Sequence, residues 1–266
     1  GGTVDAEFQN VATGPIACPS GSLIKVYQAI SGWDTITNAS AGTLGQDVET
    51  REDFEYRRRN SVALNAKGTP ESIYAAVFAV DNVLDVYVID NPTGSTVNTG
   101  ATNYPVIAHS VYVAVVGGID ADIAAAIWNK KDVGCDYNGN TTATITDTSG
   151  YSYPYPTYTV KFERPTSQAI KFAVEIVDDP SLPSDVVTLV QNAIIARFNG
   201  TDGTTRERIG ATVFASRYYG AVTSASDNIS LISILIGASS PTLTQVPIGI
   251  DQRPTLTGSD ITVTLI

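Results

Sequence analysis

The sequence predicts an α+β protein, in which a β-rich N-terminal segment precedes two small α/β sandwich-like domains with mixed sheets covered by helices. Segments with apolar residues at every second position are separated by segments with apolar residues three and four positions apart. Turn signals such as 19–21 (PSG), 31–32 (SG) and 117–118 (GG) separate several of these segments. A chain of 266 residues is long enough for more than one domain. We therefore predict a segment at 1–48, a helical pair plus first domain at 49–157 and a second domain at 158–266.

The N-terminal segment shows a strand pattern between two turns. Leu23, Lys25 and Tyr27 alternate with Ile24 and Val26, as in a strand with two different faces. The chain contains no methionine, not even at its start, and it has no leader-like apolar stretch. We expect the segment to be the remnant of a larger N-terminal region.

A charged helix is predicted from Glu49 to Gly68. Acidic residues crowd its first turns and arginines follow, which suits the helix dipole and allows Glu55 to pair with Arg58 or Arg59. Five acidic and five basic residues lie between positions 47 and 67, so the helix is locally neutral. This balance favours a solvated or interface-facing helix over a phosphate-binding site.

A second helix and two strands complete the first half of the pattern. Pro70 follows the N-cap candidate Thr69 and opens a helix that carries apolar residues on one side. Strands are predicted at 83–89 and 110–116, with a Thr-, Asn- and Gly-rich loop at 91–105 between them. The order of helix, strand and strand returns at 212–266, which raises the possibility of a duplication.

The next segments alternate between the two patterns. A helix capped by Asp120 runs to the stop at Gly134, a Thr-rich strand follows at 142–146, and a Tyr/Pro stretch at 151–158 is a candidate domain junction. Later helices are predicted at 183–199 and 214–222. Later strands are predicted at 170–176, 229–236 and 261–265.

Composition and charge exclude several functions. With 16 basic and 27 acidic residues, the net charge of −11 disfavours nucleic-acid binding. The longest strongly apolar stretch, 229–236, is too short to cross a membrane. The single His109 lacks a nucleophile motif, and Cys18 and Cys135 are read as free thiols, so we expect no enzyme activity, cofactor or metal.

One loop has an incomplete calcium-binding pattern. Residues 136–140 alternate oxygen ligands, but the sixth position is Thr141 where a glycine is needed, and the twelfth is the short Asp147. A plain turn explains the same residues, and the sequence leaves ion binding at this loop open.

Several segments in order resemble the baseplate J-like proteins, wedge components of contractile phage tails and related injection machines. The segments are 52–59 (EDFEYRRR), 68–73 (GTPESI), 111–113 with 117–118 (VYV and GG), 124–131 (AAAIWNKK) and 139–141 (GNT). The resemblance extends roughly over the whole chain. It implies a non-enzymatic structural role in a virion tail baseplate, assembled in the bacterial host cytoplasm. Its implied partners are further copies in a ring around a central hub, and other wedge and hub proteins.

We therefore expect assembly surfaces rather than an active site. The hypothesis places salt-sensitive contacts on the charged helix and backbone pairing on the last strand. The interface residues are Glu52, Glu55, Arg57, Arg58, Arg59, Ile261, Val263 and Leu265. An extracellular carbohydrate-binding or adhesin domain is the alternative, because Tyr151, Tyr153 and Tyr155 could stack on sugar rings.

Overall fold

The computed structural model describes residues 3–12, 14–28, 30–45, 48–61 and 65–266, with the backbone alone for 59–61. The chain divides into two compact units, residues 1–50 and 51–266. The predicted α+β class is confirmed, since five α-helices and fourteen strands are assigned in the described part of the chain.

The N-terminal unit has little regular structure in its described residues. One isolated bridge joins Ile30 to Trp33, and the strands predicted here are not formed. A strand needs a neighbour, and a lone hairpin is marginal in water. The turns are held by Asn38, whose side chain donates to the carbonyls of Pro19 and Ser40 and accepts from the Leu23 amide.

Two helices open the larger unit. Helix α1 spans Arg51–Ser61, shorter than the predicted charged helix, and α2 spans Pro70–Phe78. The predicted cap of α2 is present, because the Thr69 hydroxyl accepts from the Ser72 amide and the Ser72 hydroxyl accepts from the Thr69 amide.

The first sheet is mixed and has three strands. Strand β1 (Val83–Asn91) runs antiparallel to the central strand β4 (Ser110–Gly117), and β5 (Asp136–Asn138) runs parallel to β4. Between β1 and β4 the predicted loop contains a short hairpin, β2 (Val97–Thr99) and β3 (Tyr104–Val106). Strands of three residues leave too little periodicity for the sequence to reveal them.

Helix α3 (Asp120–Lys130) links β4 to β5. Its N-cap is Ile119, with no side-chain cap hydrogen bond, so the predicted cap at Asp120 is wrong. Strands β6 (Thr141–Thr146) and β7 (Thr157–Phe162) form an antiparallel hairpin that packs on α3. The Tyr/Pro stretch predicted as a domain junction is the turn of this hairpin and the start of β7.

The second half is built around another mixed sheet. Its strands lie in the order β11 (Leu231–Gly237), β9 (Lys171–Ile176) and β14 (Ile261–Leu265), with β11 antiparallel and β14 parallel to β9. The remaining elements are β8 (Thr166–Ala169), α4 (Val186–Asn199), β10 (Thr212–Phe214), α5 (Tyr219–Thr223), β12 (Gln245–Pro247) and β13 (Gln252–Thr255). Both sheets have one parallel and one antiparallel neighbour of the central strand, but the chain visits them in different orders.

Three buried clusters fill the larger unit. One lies between α2, α3 and the first sheet and includes Val113 and Ile127, and a second lies between α4 and the second sheet and includes Phe172 and Ile194. The third joins the two halves around Tyr112, whose hydroxyl donates to the Ile250 carbonyl at 2.9 Å. Along the chain, Phe162 is the last residue of the first cluster and Ile170 is the first residue of the second. The domain boundary proposed after residue 157 stays a prediction.

No helix among the described residues has the length and hydropathy that crossing a bilayer demands.

Candidate assembly surfaces

One side of α1 is bound to the rest of its own unit. A carboxylate oxygen of Glu52 accepts from both the amide and the hydroxyl of Thr205, each at 2.9 Å. Glu52 was predicted to contact another subunit. In the structure its carboxylate is already occupied by a loop 153 residues further along the chain.

An ion cluster beneath α1 strengthens this attachment. The Arg208 guanidinium donates to Asp53 at 2.7 Å and to Asp85 at 3.1 Å, and it lies 4.0 Å from the centre of the Tyr56 ring. Asp85 is buried, and it also accepts from the Ile209 amide at 2.7 Å. The cluster ties the inner side of α1 to β1 and to the loop around Arg208.

The opposite side of α1 carries the other predicted residues. The predicted Glu55–Arg58 pair is confirmed at 2.8 Å, with the Arg58 side chain 63% exposed. Arg57 lies over the ring of Phe54, 5.2 Å from its centre, and Phe54 is exposed. The side chain of Arg59 lies outside the described part of the chain. We call Phe54, Glu55, Arg57 and Arg58 the α1 outer surface.

Strand β14 lies at an edge of the second sheet, as the prediction of backbone pairing requires. Its last hydrogen bonds to the β9 side are made by Ile266, which donates to the Ile176 carbonyl and accepts from the Asp178 amide. In a parallel pair, alternate residues direct both backbone groups to the neighbour. The backbone groups of Val263 and Leu265 therefore face away from β9.

The side chains of β14 have a different role from its backbone. Ile261 is buried in the second core, Val263 is half-buried against it, and Leu265 is 39% exposed. The outward carbonyl of Ile261 already accepts from Gln191 of α4 at 3.1 Å. Of the three predicted residues, Ile261 is thus occupied within the chain, and Val263 and Leu265 offer their backbone.

Sequence reasoning missed the exposure of the apolar side chains of the N-terminal unit. Ten large apolar or aromatic side chains of the N-terminal unit are exposed, and none of its described residues is buried: Val4, Phe8, Val11, Ile16, Ile24, Tyr27, Ile30, Trp33, Leu44 and Val48. Such clustering marks interaction surfaces. The available signal was the abundance of apolar residues in a segment too short to enclose them.

The Tyr/Pro stretch forms the turn of the β6–β7 hairpin. Tyr153 is 85% exposed, and its ring meets Tyr155 edge to face with centres 6.0 Å apart. Tyr158, at the start of β7, packs against Trp128 of α3 at 5.4 Å. The hairpin is therefore packed against α3 through Tyr158, while Tyr153 in its turn projects into solvent.

The single histidine lies beside a cavity of about 330 Å³ between the start of α2 and the end of α3. Asp90, Asp132, Lys131 and Cys135 also line it. Burial raises the pKa of the Cys135 thiol, which keeps it protonated and poorly nucleophilic. The cavity thus lacks an activated nucleophile.

Metal ligation finds no support in the described ranges. They contain no group of three or more His, Cys, Asp or Glu residues placed to hold an ion. Residues 136–138 of the calcium-like pattern form β5 and pair with β4, and Asn140 donates to Glu163. A strand holds successive side chains on opposite faces, so Tyr137 points away from the side of Asp136 and Asn138.

Comparison with known proteins gives limited information. No protein-family model matches the sequence, and no curated protein matches it. Among solved structures, the chain is similar to a chain of the anti-feeding prophage (AFP) baseplate, in a six-fold symmetrised cryo-EM structure. The TM-score is 0.45 and the identity 10%, with 95% of this chain and 51% of that chain covered. The chain spans about half the length of that protein.

Proposed function

We propose that this protein is a structural component of a contractile-tail baseplate wedge. It would form a ring around the central hub by self-association, contact other wedge and hub proteins, and rearrange when the sheath contracts. The sequence resemblance supports the choice of assembly. Its quoted segments lie on α1, at the start of α2, on β4, at the end of α3 and between β5 and β6.

The observation that carries the structural role is the exposure of the N-terminal unit. Ten large apolar or aromatic side chains in one short segment lie open to water without a core of their own. Covering such side chains yields about 25 cal/mol for each Å² of apolar surface removed from water. A partner subunit supplies that cover, and an interface is therefore the expected use of this segment.

The α1 outer surface supplies a second contact of different character. Its arginines and Glu55 are held on a helix that is anchored from below by Arg208, so little order has to be created on binding. Exposed ion pairs contribute little within one chain, so exchanging the Glu55–Arg58 pair for charge matching with a neighbour would cost little.

Electron microscopy of the parent particle tests this proposal. We expect the chain in a ring at the tail tip, with α1 at a boundary between subunits. Replacing Arg57, Arg58 and Arg59 by Ala should reduce the ring yield without unfolding the chain. The matched control, Lys161→Ala with Arg253→Ala, removes exposed positive charge elsewhere and should leave the yield unchanged. Absence of the chain from the tail tip would contradict the proposal.

A carbohydrate-binding role is the second candidate, favoured by the exposed Tyr153 and Tyr155 at the hairpin tip. Aromatic faces of this kind stack on sugar rings. Glycan-array binding that is lost in Tyr153→Ala and retained in Phe8→Ala would support this alternative. Failure to bind any glycan would remove it.

A further inference from the structure

We propose that residues 22–28 of one copy add as a strand to the outer edge of β14 in a neighbouring copy. The inference rests on the proposed self-association and deepens it, because it names the two surfaces that meet. We call residues 22–28 the donor segment and the outward side of β14 the acceptor edge.

The donor segment has the sequence of a strand without having a partner. Its apolar Ile24 and Val26 alternate with Leu23, Lys25 and Tyr27, which suits a strand with two different faces. Ile24 is 73% exposed and Tyr27 is fully exposed. Within the described residues, no hydrogen bond joins the backbone of residues 24–27 to another part of the chain. The backbone of residues 24–27 and the side chains of Ile24 and Tyr27 are therefore available for pairing, whereas the Leu23 amide is held by Asn38 and the Val26 side chain is half-buried.

Beyond Ile261, whose outward carbonyl already accepts from Gln191, the acceptor edge is unprotected against strand addition. Proteins usually guard edges with charged residues, prolines or bulges. Strand β14 has the sequence ITVTL, without charge or proline, and it pairs with β9 in unbroken register. The outward backbone groups of Val263 and Leu265 thus form a short template for another strand.

The two surfaces are compatible in length and on one face. The open part of the acceptor edge runs from Val263 to Leu265, and the donor residues without a backbone hydrogen bond, 24–27, are long enough to pair along it. Val263 and Leu265 lie on the core side of the sheet, where their side chains remain partly exposed. An added strand that placed Ile24 and Val26 on that side would extend the apolar layer. Lys25 would then lie on the side of Thr262 and Thr264, together with Leu23 and Tyr27.

A second copy is the favoured occupant because this chain carries both halves of the contact. Each copy offers one donor segment and one acceptor edge. A head-to-tail contact between two different surfaces repeats from copy to copy, and it closes into a ring when the rotation permits. A partner of another kind that bound only one of these two surfaces would leave the other surface uncovered in every copy.

Disulfide trapping between copies tests the pairing. In a full-length background carrying Cys18→Ser and Cys135→Ser, one chain receives Ile24→Cys or Val26→Cys and a second chain receives Leu265→Cys. The two are mixed, oxidised and separated without reductant. Strand β6 supplies the matched control through Thr144→Cys, because it is also an uncharged and exposed edge strand.

We expect a covalent heterodimer with Leu265→Cys in several-fold excess over the heterodimer with Thr144→Cys. Equal trapping at both positions, or no trapping, would overturn the pairing. A single chain carrying both Ile24→Cys and Leu265→Cys should give covalent ladders. A purely internal disulfide, without ladders, would also overturn the proposal.

A second variant pair keeps the test independent of cysteine chemistry. Leu265→Pro removes an amide that faces outward, whereas Leu265→Ala keeps it and removes the side chain. We expect the dissociation constant of self-association to rise at least about tenfold more in the proline variant. Equal effects would overturn the pairing. Association of the unmodified chain without trapping refutes this inference alone, whereas absence of association refutes the proposed self-association.

Discussion

The N-terminal unit and the larger unit are both rich in apolar residues, yet they differ completely in burial. Among the residues that the structure describes, every buried apolar one lies within 51–266, and none lies within 1–50. In the larger unit, helices pack on sheets and enclose three clusters of buried residues. A segment of 50 residues without helices or sheets that pack on one another cannot enclose a core. Apolar content alone therefore does not bury the side chains of a segment.

The sharpest test of this difference replaces one aromatic residue in each unit. Phe172 is 1% exposed and meets Tyr218 edge to face at 4.8 Å. We expect Phe172→Ala to lower the free energy of unfolding by about 3–5 kcal/mol, and Phe8→Ala to change it by less than about 0.5 kcal/mol. Urea denaturation followed by circular dichroism measures both. Equal effects would mean that the N-terminal unit has a core of its own.

The two sides of α1 allow a similar comparison. Arg208→Ala leaves the buried carboxylate of Asp85 without its cation, and we expect a loss of about 3 kcal/mol in the free energy of unfolding. Arg58→Ala, on the α1 outer surface, should cost less than about 0.5 kcal/mol. Urea denaturation of both variants decides whether the inner ion cluster holds the helix. A harmless Arg208→Ala would contradict that role.

The seam between the two halves contains a carboxyl group that makes stability depend on pH. Glu163 is 4% exposed and accepts from the Tyr104 hydroxyl at 2.9 Å, and burial raises the pKa of its carboxyl. A raised pKa in the folded state favours folding at acid pH, and this contribution is lost as the pH rises through that pKa.

Replacing Glu163 by Gln removes this dependence. Between pH ~4 and ~7, the free energy of unfolding of Glu163→Gln should rise relative to that of the unmodified protein, by on the order of 1 kcal/mol. Urea denaturation at several pH values measures the difference. A constant difference across this range would show that Glu163 does not titrate there. Asp227→Asn, at an exposed site, is the control.

Removing the whole N-terminal segment is expected to have little effect on the stability of the larger unit. Removing residues 1–48 takes away no buried side chain of the described chain, so the free energy of unfolding of 51–266 should change by less than about 0.5 kcal/mol. The midpoint of urea denaturation measures this. A large loss of stability would mean that the N-terminal unit supports the fold of its own chain.

Local signals made much of the fold predictable. Helix α2 was recognised from Thr69 and Pro70, and α4 ends where the sequence places Gly200, whose φ of 73° is the left-handed conformation that glycine tolerates. The hairpin of β2 and β3 escaped prediction, because three-residue strands are fixed by their partners and not by their own pattern.

The candidate surfaces were predictable in position but less so in detail. Strand β14 was recognised from the alternation of Ile261, Val263 and Leu265. The capture of Glu52 by Thr205 joins residues that lie 153 positions apart, and no local pattern contains that information. The exposure of the N-terminal unit likewise follows from the absence of a covering element. A segment with strand-forming alternation gives the same pattern whether its partner belongs to its own chain or to another.

Sedimentation velocity of the intact chain over a range of concentrations tests the central claim most directly, which is that this protein acts through contact with other copies. The account predicts a mass that rises with concentration above the 28.0 kDa of one chain, and a chain lacking residues 1–48 that stays at the mass of a monomer. An intact chain that remains at 28.0 kDa at every concentration would contradict it.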